Sequence, residues 1–141
     1  MSTPDKRIPY YLAGPMTGLP KFNYPAFLDA AERLRREGFS ILNPVDLDSK
    51  DAFNAALCSP DGLMPDDGVA GVSYGELLGR DVALIADKAG GVIVLPKWEK
   101  SRGARLEVFL ASRILGFDVW EYRPELEHTL CLMTPDEIIN A

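Results

Sequence analysis

The stretch that most constrains the fold is Gly91–Glu107, GVIVLPKWEKSRGARLE. A short apolar run stops at Pro96, a polar loop follows, and Ser-Arg-Gly-Ala then opens an amphipathic segment with a glutamate one turn in. In an α/β chain this is how a buried parallel strand delivers a loop and a helix N-terminus to the ligand-binding edge of a sheet. The segment therefore predicts a strand over Gly91–Leu95, a helix over Gly103–Leu115 ended by Gly116, and a carboxylate, Glu107, beside the site.

The rest of the chain repeats that alternation. Ile8–Ala13 is a short apolar run ended by Gly14-Pro15, which suits a buried strand with a sharp exit. Asn23 is placed to N-cap a helix with Pro25 in its first turn. Phe27, Ala30, Ala31 and Leu34 follow at i, i+3, i+4 and i+7, with Gly38 at the end. Phe39–Leu42 predicts a second strand closed by Asn43-Pro44. Residues 45–72 are rich in Asp, Gly and Pro and predict a mobile loop or lid with a short helix near Lys50–Leu57. Ser73-Tyr74-Gly75-Glu76 has capping-box spacing ahead of Leu77, Leu78, Val82 and Ile85, so a helix is expected over Ser73–Lys88. Phe117–Trp120 predicts a fourth strand. The tail, 123–141, adds an apolar strand at Leu130–Met133 and a turn of helix capped by Thr134. Alternating strands and helices imply one α/β domain over 1–141, a parallel sheet with helices on both faces.

Composition excludes several classes of partner. The chain has 141 residues and 47% hydrophobic content, enough for one core that buries roughly two-thirds of the unfolded surface. Its net charge of −6 argues against a nucleic-acid polymer or an anionic membrane as partner. The start, MSTPDKR, lacks an apolar signal core, and the longest apolar run is too short to span a bilayer, so a cytoplasmic protein is expected. Cys58, Cys131 and the single His128 have no metal-ligand spacing. Neither a metal nor another cofactor is expected.

Several motifs together resemble the nucleoside 2-deoxyribosyltransferase superfamily. They are Tyr11-Leu12-Ala13-Gly14-Pro15, Asn23-Tyr24-Pro25-Ala26-Phe27, Arg80-Asp81 and Ser101-Arg102-Gly103-Ala104-Arg105-Leu106-Glu107. The similarity spans about Ile8 to Trp120; the superfamily includes nucleotide N-hydrolase members and a branch common in phages and prophages, which the chain resembles most. It implies a flavodoxin-like or Rossmann-like sheet, cleavage of an N-glycosidic bond, and a homodimer with sites near the subunit interface.

Such a reaction passes through an oxocarbenium-like state, which requires negative charge beneath the sugar and a proton for the departing base. The resemblance makes Glu107 the nucleophile of a glycosyl-enzyme ester, its ionised form favoured by the helix start. Asp81 would orient substrate and assist proton transfer, and Tyr11 would face the site. The resemblance also implies an aspartate just before the third strand. Gly90-Gly91 stands there, with Asp87 a few residues earlier as the candidate replacement.

Ser101, Arg102 and Gly103 offer a hydroxyl, a guanidinium and backbone N–H groups at a helix start, the equipment for holding a phosphate. In the resembled hydrolases a serine in this turn contacts a 5′-phosphate, which points to a small-molecule nucleotide substrate; simple helix capping is the competing role for Ser101. Gly14 and Pro15 would let the sugar or phosphate approach the first strand, with Asn23 nearby. Trp98 either stacks on a base or packs in the core. Two other functions remain open: a non-catalytic nucleotide-binding or signalling module, and a partner-binding protein that uses the acidic 61–67 loop.

Overall fold

The computed structural model describes residues 3–64, 72–126 and 128–140. Part of the expected lid, residues 65–71, lies outside them, and so does the second half of the acidic loop. The chain runs β1 (Pro9–Ala13), α1 (Tyr24–Arg36), β2 (Ser40–Leu42), α2 (Lys50–Leu57), α3 (Tyr74–Lys88), β3 (Gly91–Val94), α4 (Arg102–Phe109), β4 (Val119–Tyr122), β5 (Leu130–Leu132) and α5 (Pro135–Ile139). The five strands form one sheet in the order β2-β1-β3-β4-β5, the flavodoxin-like order. The first four are parallel and β5 is antiparallel to β4. The four alternating strands are parallel as expected, and the tail strand adds an antiparallel edge. The 123–129 connection is too short for the crossover a parallel neighbour needs.

Strand alternation sorts side chains to the two faces. Tyr10, Leu12, Ile93, Trp120 and Tyr122 pack on one side with Phe27, Ala30, Ala31 and Leu34 of α1. Tyr11, Ala13, Val92, Val94 and Val119 pack on the other with Ile85 of α3 and Ala104 and Val108 of α4. The i, i+3, i+4, i+7 stripe of α1 is thus the buried stripe. Among the described residues no helix is long and apolar enough to cross a membrane.

Three local expectations are corrected. β4 begins at Val119, two residues later than expected, because Phe117 is held back on the helix side, its N–H bonded to the Ala111 carbonyl at 2.8 Å. The helix expected through Leu115 is α only to Phe109 and then widens into a π-helical stretch, Leu110–Ile114. There Ser112 Oγ donates to the Val108 carbonyl at 2.8 Å, a local side-chain bond that competes with regular helix. Asn23 precedes α1 without capping it: its φ is 59° and its side chain makes no cap bond. Lys21, Phe22 and Asn23 are three consecutive left-handed residues. Such backbone costs about 1–2 kcal/mol per ordinary residue.

Candidate functional site

The parallel strands point their C-terminal ends at one edge, and the chain reverses its winding direction at β1 and β3. A crevice is expected outside that switch point. A cavity of about 690 Å³ opens there, lined by Tyr11, Gly14, Tyr24, Asp48, Arg80, Asp81, Ser101–Ala104 and Glu107, with apolar walls from Met16, Phe22, Phe27, Leu77 and Leu78. Its volume suits a ligand of nucleotide size.

Glu107 is on the second turn of α4, facing the sheet, and is only 6% exposed. Burial is the principal cause that lifts its carboxyl to about 8, and the nearby Asp81 charge pushes the same way. The Tyr11 hydroxyl donates a short hydrogen bond to Glu107 Oε2 and opposes the rise. The expected dipole effect is therefore overridden: the helix start acts within the first turn, and Glu107 lies beyond it. Near neutral pH the free protein holds this side chain as the acid. Burial likewise pushes the Tyr11 hydroxyl well above its usual range, reinforced by Glu107 and Asp81.

Asp81 sits half-buried on α3. Burial raises its carboxyl, while Arg80 beside it works in the opposite direction. Arg80 is the hub of this wall: Nε donates to Asp81 at 3.1 Å, Nη1 to Asp48 at 2.7 Å and Nη2 to the Pro44 carbonyl at 3.1 Å. The Asp48 side chain is 2% exposed and also accepts a short hydrogen bond from the Tyr24 hydroxyl. Local sequence explains its placement. Asn43 ends β2, accepts from the Val45 N–H at 3.2 Å and caps a turn of 3-10 helix over Pro44–Leu47, which carries Asp48 back toward α3.

At the start of α4, Ser101 Oγ accepts from the Ala104 N–H at 3.2 Å. Capping is therefore real, and its own O–H proton is still available to a ligand. The first-turn N–H groups of Arg102 and Gly103 have no intrahelical partner, as at any helix start. Gly14 lines the cavity and serves packing as well, since a Cβ there would lie 2.9 Å from Leu95 Cβ.

Tyr11, Gly14, Asp81, Ser101, Arg102, Gly103 and Glu107 are thus brought together. Four other candidates are elsewhere. Trp98 is buried in the core beneath α3 and α4. Pro15 and Asn23 tie the β1–α1 loop together through Asn23 Nδ2 and the Pro15 carbonyl, 2.9 Å apart, outside the cavity lining. Asp87 is exposed on the last turn of α3, next to the N-terminal end of β3 and so at the opposite end of the sheet. Gly90 shares that end, and a Cβ there would lie 2.5 Å from Ile8 Cγ2. An acidic side chain at 90 has neither space nor proximity to the cavity. The sequence reading missed Asp48 and Tyr24; the Asn-Pro turn that carries Asp48 was the available signal. Among the described residues no group of three His, Cys, Asp or Glu side chains is arranged to hold a metal ion.

The fold and site define an α/β protein with an acid-lined crevice at the switch point of its sheet. Residues 8–119 match the family described as domain of unknown function DUF4406, and the chain belongs to that family. No significant match is found among curated proteins or solved structures.

Proposed function

We propose that the protein is an N-glycosidase that removes, or exchanges, the base of a (deoxy)ribonucleoside 5′-monophosphate through a glycosyl-Glu107 intermediate. The observation that carries this reading is the buried Glu107–Tyr11 pair opening, beside Asp81, onto a nucleotide-sized cavity. The phosphate is assigned to the α4 start, where Ser101, Arg102, Gly103 and Lys100 line the same space. The sugar is assigned to Glu107 and Asp81.

The protonated state of Glu107 fits this chemistry. When a Glu107 oxygen bonds to C1′ and the C1′–N bond breaks, the bonding pair leaves with the base, which needs one proton. Glu107 loses one in the same step. Tyr11 bonds to Glu107 and also helps to stabilise the Asp81 charge, so a path from Glu107 through Tyr11 to Asp81 and the base is short. Hydrolysis of the ester by water returns the sugar hydroxyl and the carboxylic acid, closing the cycle. A homodimer belongs to the same proposal. It is supported by apolar residues left outside on α4 and the π-helical stretch, with Phe109 54% and Ile114 65% exposed.

Incubation with a panel of nucleoside monophosphates, with release of free base followed by chromatography, tests the reading. Base from at least one monophosphate is expected. Saturable binding with no base from any of them would select the non-catalytic nucleotide-binding module, which the neutral Glu107 also suits.

A further inference from the structure

The Asp48–Arg80 pair has no role in the chemistry above, yet it is held by hydrogen bonds on every side. Arg80 uses three N–H bonds, and two of them go to the segment after β2: the Asp48 carboxylate at 2.7 Å and the Pro44 carbonyl at 3.1 Å. Its third, Nε–H, is thereby aimed at Asp81 Oδ1 at 3.1 Å. Asp48 is buried and held by Tyr24 on its other oxygen, so both of its oxygens are already engaged. A planar guanidinium fixed at two points presents its remaining donor with little freedom. Asp81 in turn shares the cavity with Glu107.

Resting on the glycosidase reading, we propose that Asp48 and Arg80 are positioning residues that determine which of the two cavity carboxyls, Asp81 or Glu107, holds the proton destined for the departing base. The guanidinium favours the ionised form of Asp81 and fixes its orientation. The proton then resides on Glu107, next to Tyr11, until bond formation at C1′ displaces it. The groups that face Asp81 from the surrounding elements are Tyr11 on β1, Tyr24 on α1, Asp48 after β2, Arg80 on α3 and Glu107 on α4, with Lys100 and Arg102 farther along the same cavity. Of these only Arg80 is a cation in direct contact with Asp81. Burial raises both carboxyls, and Arg80 opposes the rise at Asp81.

The test is a carboxyl-carbon NMR titration of Asp81 and Glu107 in the whole protein, in wild type, Arg80→Gln, Asp48→Asn and the double variant that removes both charges. It needs no turnover. In wild type Asp81 should ionise first. Loss of an opposite charge in contact should raise the Asp81 midpoint by about one to three pH units in Arg80→Gln, with Glu107 falling as the proton is redistributed. Asp48→Asn should instead lower the Asp81 midpoint, because it removes a nearby negative charge that raises Asp81 and leaves the guanidinium to Asp81. Tyr24→Phe, which removes only one hydrogen bond from Asp48, is the milder probe if the charge variants do not fold, and should raise the Asp81 midpoint slightly as Asp48 draws the guanidinium more strongly. In base release, Asp48→Asn should lower kcat roughly tenfold or more with KM changed less than about twofold, and should shift the pH profile. Unchanged Asp81 and Glu107 midpoints in Arg80→Gln, or in Tyr24→Phe if that variant stands in for it, would overturn the proposal. Absence of base release from wild type would overturn the glycosidase reading instead, and the titration would still decide this one.

Discussion

Replacing Glu107 by Gln should make the protein more stable at alkaline pH while abolishing base release. The wild-type carboxyl goes from an ordinary 4.5 in the unfolded chain to about 8 in the folded protein. A raised folded value means the folded state binds the proton more tightly. The associated stability is complete below about pH 4.5 and is lost as pH rises toward and through about 8. Within that window the loss runs at about 1.4 kcal/mol per pH unit, so between pH 5 and pH 8 wild type should lose about 3–4 kcal/mol through this group. Glutamine cannot ionise, its carbonyl can accept the Tyr11 hydroxyl, and its volume matches, so no cavity is opened. Alanine would be a poorer choice, because Glu107 is buried and its removal would leave space and an unpaired Tyr11. Urea unfolding of both proteins at half-unit pH intervals is the assay, with the difference between them as the observable. It should be small at pH 5 and reach about 3–4 kcal/mol in favour of Glu107→Gln at pH 8, roughly 10 °C in Tm for a chain of this size. A difference that stays flat from pH 5 to pH 8 would refute the assignment of a buried, proton-holding Glu107.

Three further outcomes are expected. Ser101→Ala combined with Arg102→Ala should remove most of a preference for monophosphate over nucleoside, which is about tenfold or more if even one charge-assisted hydrogen bond of roughly 1.5–3 kcal/mol is involved; binding assays with both ligands check it, and equal losses for the two would mean the turn only shapes the pocket. Phe109→Glu should convert a dimer into a monomer by light scattering, because it puts a charge in the exposed apolar patch of α4; a wild type that is already monomeric and active would reject the dimer. Gly90→Asp should destabilise by about 1–3 kcal/mol through overpacking against Ile8, with no gain in base release; faster turnover would show that an acid at 90 does reach the site.

The parts of the fold that were legible are those governed by local periodicity. The α1 stripe, the Ser73, Ser101 and Thr134 caps, the short α2 and the alternating strands all follow from spacing and cap chemistry. The antiparallel direction of β5 follows from the brevity of 123–129. The left-handed 21–23 turn depends on tertiary bonds, such as Lys21 N–H to the Ser59 carbonyl at 2.8 Å, and has no local signature. In the site, Glu107, Asp81 and Tyr11 stand in recognisable motifs. Asp48 and Tyr24 meet Arg80 only because β2 and α3 pack around the same cavity, so their roles required the fold. The state of Glu107 was misjudged for a related reason: position along a helix can be read from sequence, whereas its 6% exposure cannot.

The central claim is a covalent bond between Glu107 and C1′, and trapping that bond tests it most directly. A monophosphate whose sugar carries fluorine at C2′ destabilises the oxocarbenium-like state and slows ester breakdown. Wild-type protein incubated with such a compound, quenched in acid and measured by intact and peptide mass spectrometry, should gain the mass of the sugar phosphate on the peptide containing Glu107, with one equivalent of base released; Glu107→Gln should gain none. Base release that proceeds with no adduct, or with an adduct on another residue, would contradict the glycosyl-Glu107 mechanism.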